Sequence, residues 1–418
     1  MQENWIKRTF KGDRVIWTLV AVFMIYSLLA VYSSSAGVAF MKYGGNNTYF
    51  LRSQFIMLVL SLVIIVVVHH LPYRIYSSLA GLGLLLSVVL LILTFLIGSR
   101  VNEATRWIEI PGTGFRLQTS DVAKVALVVY LASVLSRFQN ELNDFMLVSK
   151  YMMFPVAVIC ALIMPENLST ALMIFGICIL IMFIGRVPFR FLLAYIGMGV
   201  AGVLLFAILL TLISKDNRVE VWKNRIENHF SGNVDADDAY QSNQAKIAIS
   251  TGGLFGKAPG KSTQRNMLPQ SNSDFIFAII IEEYGLLFGA IPLILAYMIL
   301  LFRGIVIVKK CDTAFPALLV IGLIVMITMQ AMLNMLVAVG LFPVTGQTLP
   351  MVSWGRTSAL MMSFSIGAIL SVSRVVNARI KKEELPEEEK TDEGEKIYGP
   401  KRHKRIIISG GGTGGHVF

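Results

Sequence analysis

The chain has 418 residues, 55% of them hydrophobic and only 15% charged, with a formal net charge of +11. Its mean hydropathy of +0.67 excludes a soluble globule, because a single water-surrounded core could not hide that much apolar surface. The positive charge does not indicate nucleic acid, since Lys and Arg fall mainly in short connections and tails, and Cys160, Cys178 and Cys311 show neither metal-ligand nor disulfide spacing.

In chain order, residues 1–13 read as a basic cytoplasmic N-terminus. The apolar stretch after them is too long for a secretory signal and has no small-residue cleavage site, so a retained first helix is expected. Crossing roughly 30 Å of hydrocarbon takes about 20 apolar residues. About ten such stretches occur, at 14–35, 51–70, 77–98, 121–137, 151–165, 168–187, 191–213, 273–303, 313–338 and 348–375. The expected fold class is therefore an all-α integral membrane protein, with its membrane domain over 14–380. An even number of spans puts Lys7, Arg8, Lys11, Arg14, Arg74, Arg137, Lys150, Arg186, Arg190, Arg303, Lys309 and Lys310 on one side, which the positive-inside rule makes cytoplasmic.

The opposite side has the longer loops 36–50, 99–120 and 214–272, the last a large extracytoplasmic loop between helices 7 and 8. Its acids, amides, glycines and lysines suit a partly buried polar site better than a spacer. Residues 381–405 read as a disordered charged cytoplasmic tail. Residues 406–418 begin like a phosphate-binding strand and turn but lack the helix that such a loop needs.

Charged groups in apolar spans cost about 2.5–3.5 kcal/mol each on insertion scales, so their positions are functional clues. They are Asp121, Lys124, Glu166, Asp274, Glu282, Glu283 and Arg356. Asp121 and Lys124 can pair on one helix face. Asp274 opens a long apolar helix just after the large loop, where it is either a functional carboxylate or a helix cap. Glu282, two turns further on, either extends a polar track inward or faces a neighbouring helix. The glycine- and proline-rich segments at 250–262 and 340–360 either line a cavity or make tight helix contacts.

Several blocks in order resemble the FtsW/RodA family of shape, elongation, division and sporulation proteins over about residues 11–380. They are Arg106–Trp107–Ile108, LQTSDVAK, ENLSTA, YQSNQAKIAISTGGLFGKAPGKS, LPQSNSDFIFAIIIEEYG and GLFPVTGQTLPMVSWGRTS. Asn167 stands where the family usually has Asp, and Arg356 where it usually has Gly. The final segment resembles the start of MurG, the cytoplasmic enzyme that makes lipid II, which favours the division branch.

The resemblance implies a peptidoglycan glycosyltransferase of the inner membrane at the division septum, both termini cytoplasmic, polymerising lipid II with inversion at the outer face. Its implied partners are a class B penicillin-binding protein, other divisome membrane proteins and membrane lipid. The implied site has Asp274 as catalytic base and Arg106, Lys124, Asp121, Lys246, Glu282 and Ser353 as substrate-binding residues. No metal site is indicated beyond an Mg²⁺ or Mn²⁺ ion bridging Asp274 and pyrophosphate, for which one carboxylate is a thin basis. A lipid II flippase, using Glu282 and Lys124 as a track, and a non-catalytic divisome scaffold are the alternatives.

Overall fold

A computed structural model describes residues 10–36, 48–101, 104–110, 112, 115–213, 237–268 and 271–384. Helix α1 (Arg14–Ser34) starts at Asp13, whose carboxylate accepts from the N–H groups of Val15 and Ile16 at 2.9 and 3.2 Å. These are two of the donors that a helix start leaves without an intrahelical partner. Helices α2 (Thr48–His70) and α3 (Arg74–Ile97) follow, separated by a turn at Pro72 that cannot continue a helix.

The segment after α3, expected only as a loop, forms a small antiparallel sheet, so the all-α reading holds for the membrane domain and not for this connection. Its strands are β1 (Ser99–Val101), β2 (Ala104–Ile110) and β3 (Phe115–Gln118), in the order β1-β2-β3. Trp107 lies opposite Gln118 and Ile110 opposite Phe115. The hairpin turns through Gly112, whose φ of +78° suits glycine.

Four helices come next: α4 (Thr119–Arg137), α5 (Phe145–Ile163, with a π turn at Ser149–Met153), α6 (Leu168–Ile184) and α7 (Phe189–Ile213). The large loop contains helix α8 (Asp237–Gly252). The remaining helices are α9 (Ile276–Gly285), α10 (Ile291–Lys309), α11 (Ala314–Ala338) and α12 (Arg356–Glu384).

Among the described residues, nine helical stretches are long and apolar enough to cross a membrane. The 17 residues of α6 rise about 25 Å, just short of that length. In α11, 78% of the apolar window is buried, against 17% for Phe189–Ile208, so α11 is the axis of the bundle and α7 lies at its edge.

The expected continuous span 273–303 is broken. Ile276–Lys309 counts 34 residues, which as one rod would reach about 51 Å, well beyond the hydrocarbon thickness. The chain breaks at Gly285, with φ +73°, and then makes a π turn over Leu286–Ala290. Ile280 and Gly289 pack against each other across the break, which residues nine apart in a straight helix cannot do. Leu286–Lys309 is long enough to cross the membrane alone, and α9 is a half-helix in which nearly every side chain is buried.

The orphan backbone groups at the break are matched by the strap Gly253–Ala258. Leu286 and Leu287 donate to the carbonyls of Gly253 and Leu254 at 3.0 and 3.1 Å, and Lys257 and Ala258 donate to those of Glu282 and Glu283 at 2.8 and 3.0 Å. Such pairing is what allows irregular backbone at membrane depth. Cβ atoms at Gly252, Gly256 or Gly285 would collide with backbone atoms of the opposing segment.

Cross-links fix the two ends of the bundle. At one end Arg303 Nε donates to Asp13 at 3.0 Å and Arg374 donates to the His70 carbonyl at 3.0 Å. At the other, Ser271 Oγ donates to the Ser34 carbonyl at 3.1 Å and Phe50 meets the edge of Trp354. The expected span 348–375 starts as a helix only at Arg356, and the preceding stretch with Pro343, Gly346 and Pro350 is non-helical. From Val376 the chain forms a separate compact unit, seen as the last turns of α12, with Arg379 and Glu383 paired one turn apart at 3.4 Å. The readings of residues 1–9, 214–236 and 385–418, including the MurG-like segment, lie outside the described residues.

Candidate active site

Two non-helical segments meet at the end of the bundle that carries α8. The first is the turn Ser271–Phe275 and the second is Gln347–Gly355. Trp354 N–H donates to the Asn272 carbonyl at 2.8 Å, and Ser353 Oγ donates to the Ser273 carbonyl at 2.6 Å while accepting from Leu349 N–H at 2.7 Å. From α11, Asn334 Nδ2 donates to the Asp274 carbonyl and to the Gln347 carbonyl, both at 2.7 Å. The backbone on which Asp274 sits is therefore bolted at three consecutive residues.

The Asp274 side chain is half-buried. α9 begins at Ile276 with Phe275 at its cap position, so Asp274 stands one residue before the cap. Asn334 lies four residues inside the end of α11, so the Asp274 backbone sits about 6 Å below that helix end.

Lys124 and Asp121 pair as the i,i+3 spacing predicts, at 2.7 Å, with side chains only 2% and 7% exposed. Lys124 Nζ also donates to Gln330 Oε1 at 2.6 Å, and Gln330 Nε2 donates to the Thr348 carbonyl at 2.9 Å. Gln347 Nε2 reaches Thr170 Oγ1 at 2.6 Å, and Thr170 N–H donates to Asn167, the cap of α6, at 3.0 Å. A buried polar chain thus links the blocks containing Asp121, Asn167, Gln347 and Asp274. Its central members, Gln330 and Asn334, were not anticipated. Their signal was two amides one turn apart on one face of an otherwise apolar helix.

Two expected substrate contacts have other occupations here. Glu282 is fully buried and accepts from Lys257 Nζ at 2.7 Å, Thr263 Oγ1 at 2.8 Å, Thr263 N–H at 3.0 Å, Gln264 N–H at 3.2 Å and the Ser262 hydroxyl. It anchors its own loop, because a buried carboxylate must collect donors wherever the chain supplies them. Lys124 is likewise held by Asp121 and Gln330, so its action on the site runs through Gln330 and the Thr348 carbonyl. Glu283 accepts from the Ser33 hydroxyl, to which Arg265 also donates at 3.2 Å.

Ser353 orients the Asp274 turn from behind. Lys246 is exposed on α8 and its side chain lies over Gly340, just past the end of α11. Arg106 belongs to β2, and its side chain lies outside the described residues. Thr357 ties the sheet to the site, donating to the Arg116 carbonyl at 3.0 Å and accepting from Gln118 N–H at 3.1 Å. Beside β3, a groove with apolar walls from Leu91, Phe95 and Leu162 has Gln118, Ser120 and Glu166 among its polar lining. Among the described residues no three His, Cys, Asp or Glu side chains converge.

This architecture defines a polytopic helical membrane protein with a re-entrant half-helix and a polar site at one end of its bundle. The chain belongs to the FtsW/RodA/SpoVE family of cell cycle proteins, whose sequence profile matches residues 13–378. A relative from Coxiella burnetii, described as a probable peptidoglycan glycosyltransferase FtsW, is 32% identical over 382 residues, covering 88% of this chain and 98% of the relative. One from Geobacter metallireducens with the same description is 29% identical over 372 residues, covering 88% and 96%.

Two solved structures share the fold. A chain from a peptidoglycan synthase complex, reported for the coordination of polymerization and crosslinking, aligns with TM-score 0.68 at 21% identity, covering 87% of this chain and 98% of its own. The rod shape determining protein RodA of Thermus thermophilus aligns with TM-score 0.62 at 24% identity, covering 89% and 98%.

Proposed function

We propose that this protein is a peptidoglycan glycosyltransferase that polymerises lipid II into glycan strands at the outer face of the bacterial inner membrane during cell division. The descriptions of its relatives support the reaction class. The observation that carries the assignment of the site is Asp274, a half-buried carboxylate in a turn whose carbonyls at Asn272, Ser273 and Asp274 are held by Trp354, Ser353 and Asn334.

Lipid II carries its sugar α-linked to undecaprenyl pyrophosphate, and the glycan is β-linked, so one in-line displacement with inversion suffices. Asp274 takes the proton of the acceptor sugar hydroxyl as that oxygen bonds to the anomeric carbon. The bond to the pyrophosphate oxygen breaks on the opposite face, and undecaprenyl pyrophosphate departs. A base fixed in place contributes through orientation as well as proton transfer. Cations must stabilise the departing diphosphate, and Arg106 and Lys246 are assigned to that task, with Lys124 and Asp121 holding the Gln347–Gly355 segment through Gln330.

In this reading the end bearing Asp13, Arg74, Arg137 and Lys309 is cytoplasmic. A class B penicillin-binding protein crosslinks the product, and other divisome membrane proteins place the enzyme at the septum. The test is to incubate purified protein, with and without that partner, with lipid II. Polymer from the native protein and none from Asp274→Asn is the expected result; absence of polymer from the native, partner-bound protein would overturn the reading in favour of a scaffold.

A further inference from the structure

The end of the bundle away from Asp274 carries a concentration of charge of its own. Helix α4 runs from Thr119, beside the sheet, to Arg137, so this end lies about 27 Å along the helix axis from the site. Arg137, Lys150, Arg186 and Arg190 are exposed there. Of the nearby carboxylates, Asp144 is taken up in capping α5, accepting from Met146 and Leu147 N–H at 2.8 and 3.4 Å, and Glu141 is exposed, so cations outnumber acids.

Aromatic rings gather these cations into one corner. The Arg137 guanidinium carbon stands 5.8 Å from the Phe138 ring centroid and Lys150 Nζ 5.2 Å from that of Tyr151, and the two rings stack with centroids 5.3 Å apart. The Arg190 guanidinium carbon stands 5.0 Å from the Phe191 centroid; Phe191 meets Phe145, which stacks on Tyr195. The π turn at Ser149–Met153 joins the two groups. Ser149 shares a hydrogen bond with the Tyr195 hydroxyl at 2.9 Å, and the Tyr151 carbonyl accepts from the Tyr130 hydroxyl at 3.0 Å. Such turns inside α-helices are rare and are frequent at functional sites.

Arg186 adds a strained backbone to the corner. At the end of α6, Arg186 N–H donates to the Phe183 carbonyl and Val187 N–H to the Met182 carbonyl, both at 3.0 Å, the bonding of a helix stop whose left-handed residue is usually glycine. Here that residue is Arg186, with φ +69°. The adjoining Gly185 packs against Leu135 of α4, two residues before Arg137. A side chain kept where glycine fits better points to a use for its guanidinium. One turn further into the bundle from Lys150 and Arg190, Phe154 and Leu193 are 65% and 53% exposed. Cations held over rings with apolar surface alongside match a ligand that joins phosphate to acyl chains.

We infer that this corner is a binding site for an anionic phospholipid of the adjoining leaflet. Arg137, Lys150, Arg186 and Arg190 hold the phosphate groups, and the apolar flank meets the acyl chains. The site is separate from the reaction assigned to Asp274 and does not depend on it. In the orientation given above, the leaflet is the cytoplasmic one.

The test uses the full-length protein, delipidated in detergent and titrated with cardiolipin, phosphatidylglycerol and phosphatidylcholine, with native mass spectrometry and thermal melting as readouts. The two anionic lipids should bind and raise the melting temperature, and phosphatidylcholine should do neither. Arg137→Gln, Lys150→Gln, Arg186→Gly and Arg190→Gln should each weaken cardiolipin binding roughly five-fold. Lys309→Gln, which removes a cation from the end of α10, should leave it unchanged. Because Arg186→Gly supplies the residue that the helix stop favours, its lipid-free melting temperature should stay close to the native value while its stabilisation by cardiolipin shrinks. Cardiolipin binding unchanged in the variant lacking all four cations, or weakened as much by Lys309→Gln, overturns the site. Inorganic phosphate or a hexaglutamate peptide binding as tightly as the lipid overturns it too, by assigning the corner to a soluble anion or an acidic protein segment.

Discussion

Lys124 and Asn334 belong to different ends of one polar chain: Lys124 reaches Thr348 through Gln330, and Asn334 holds Gln347 and Asp274 together. The buried ion pair on α4 thus sets the backbone of the segment that carries Ser353, and through it the placement of the carboxylate assigned as base. Removing one member of a buried pair strands the other charge, at a cost of about 3–5 kcal/mol. Lys124→Met and Asp121→Leu should each lower the thermal stability of the purified protein in detergent. The double variant should recover most of the stability yet not the polymer yield, because Gln330 loses its donor. Full polymer yield in the double variant would remove Lys124 from the positioning network.

Asp274→Asn keeps the side-chain volume and removes the proton acceptor. Because Asn and Asp accept backbone N–H groups about equally well at a helix start, stability should change by less than about 1 kcal/mol. Polymerisation should fall by about 10² to 10⁴, the usual range for a general base. The check is lipid II turnover at matched, partner-bound protein concentration beside a melting curve. A large drop in melting temperature with turnover largely kept would mark a structural aspartate.

Glu282 should behave as a loop anchor. In Glu282→Ala five donors from Lys257, Ser262, Thr263 and Gln264 lose their acceptor. Backbone hydrogen exchange should therefore accelerate across 256–265, with the bundle helices unaffected. Unaltered exchange in that segment would contradict the anchoring role.

Gly285 is required twice, by its φ of +73° and by its contact with the strap. Gly285→Ala should lower expression and open the strap, because a left-handed conformation costs a side chain about 1–2 kcal/mol before any clash is counted. Gly83 offers a matched control, since nothing lies within 4 Å of an added Cβ there. Gly83→Ala should insert and melt like the native protein. Equal behaviour of the two variants would refute the need for close approach at the break.

Orientation is tested best at Lys261, which is exposed. The neighbouring Ser262 is only 4% exposed and donates to Glu282. A single cysteine at Lys261, in a background lacking Cys160, Cys178 and Cys311, should react with a membrane-impermeant thiol reagent in intact spheroplasts. Reaction only after lysis would place the site on the cytoplasmic side.

Hydropathy and charge by themselves determined the membrane class, nearly every span and the grouping of basic residues at one end, because lipid requires long apolar helices and the length of each is fixed by the bilayer. The spacing of Asp121 and Lys124 likewise determined their pairing, since residues three apart on a helix are neighbours. What lay beyond the sequence was decided by backbone satisfaction between segments far apart in the chain. Only the tertiary structure splits 273–303 at Gly285, because the partners that make the break tolerable come from Gly253–Ala258. Only it assigns Glu282 to the loop, because the donors around a buried carboxylate are chosen by packing rather than by position in the chain. And only it raises Gln330 and Asn334 from two amides in an apolar helix to the centre of the site, since an amide has no use until another chain segment brings it a carbonyl.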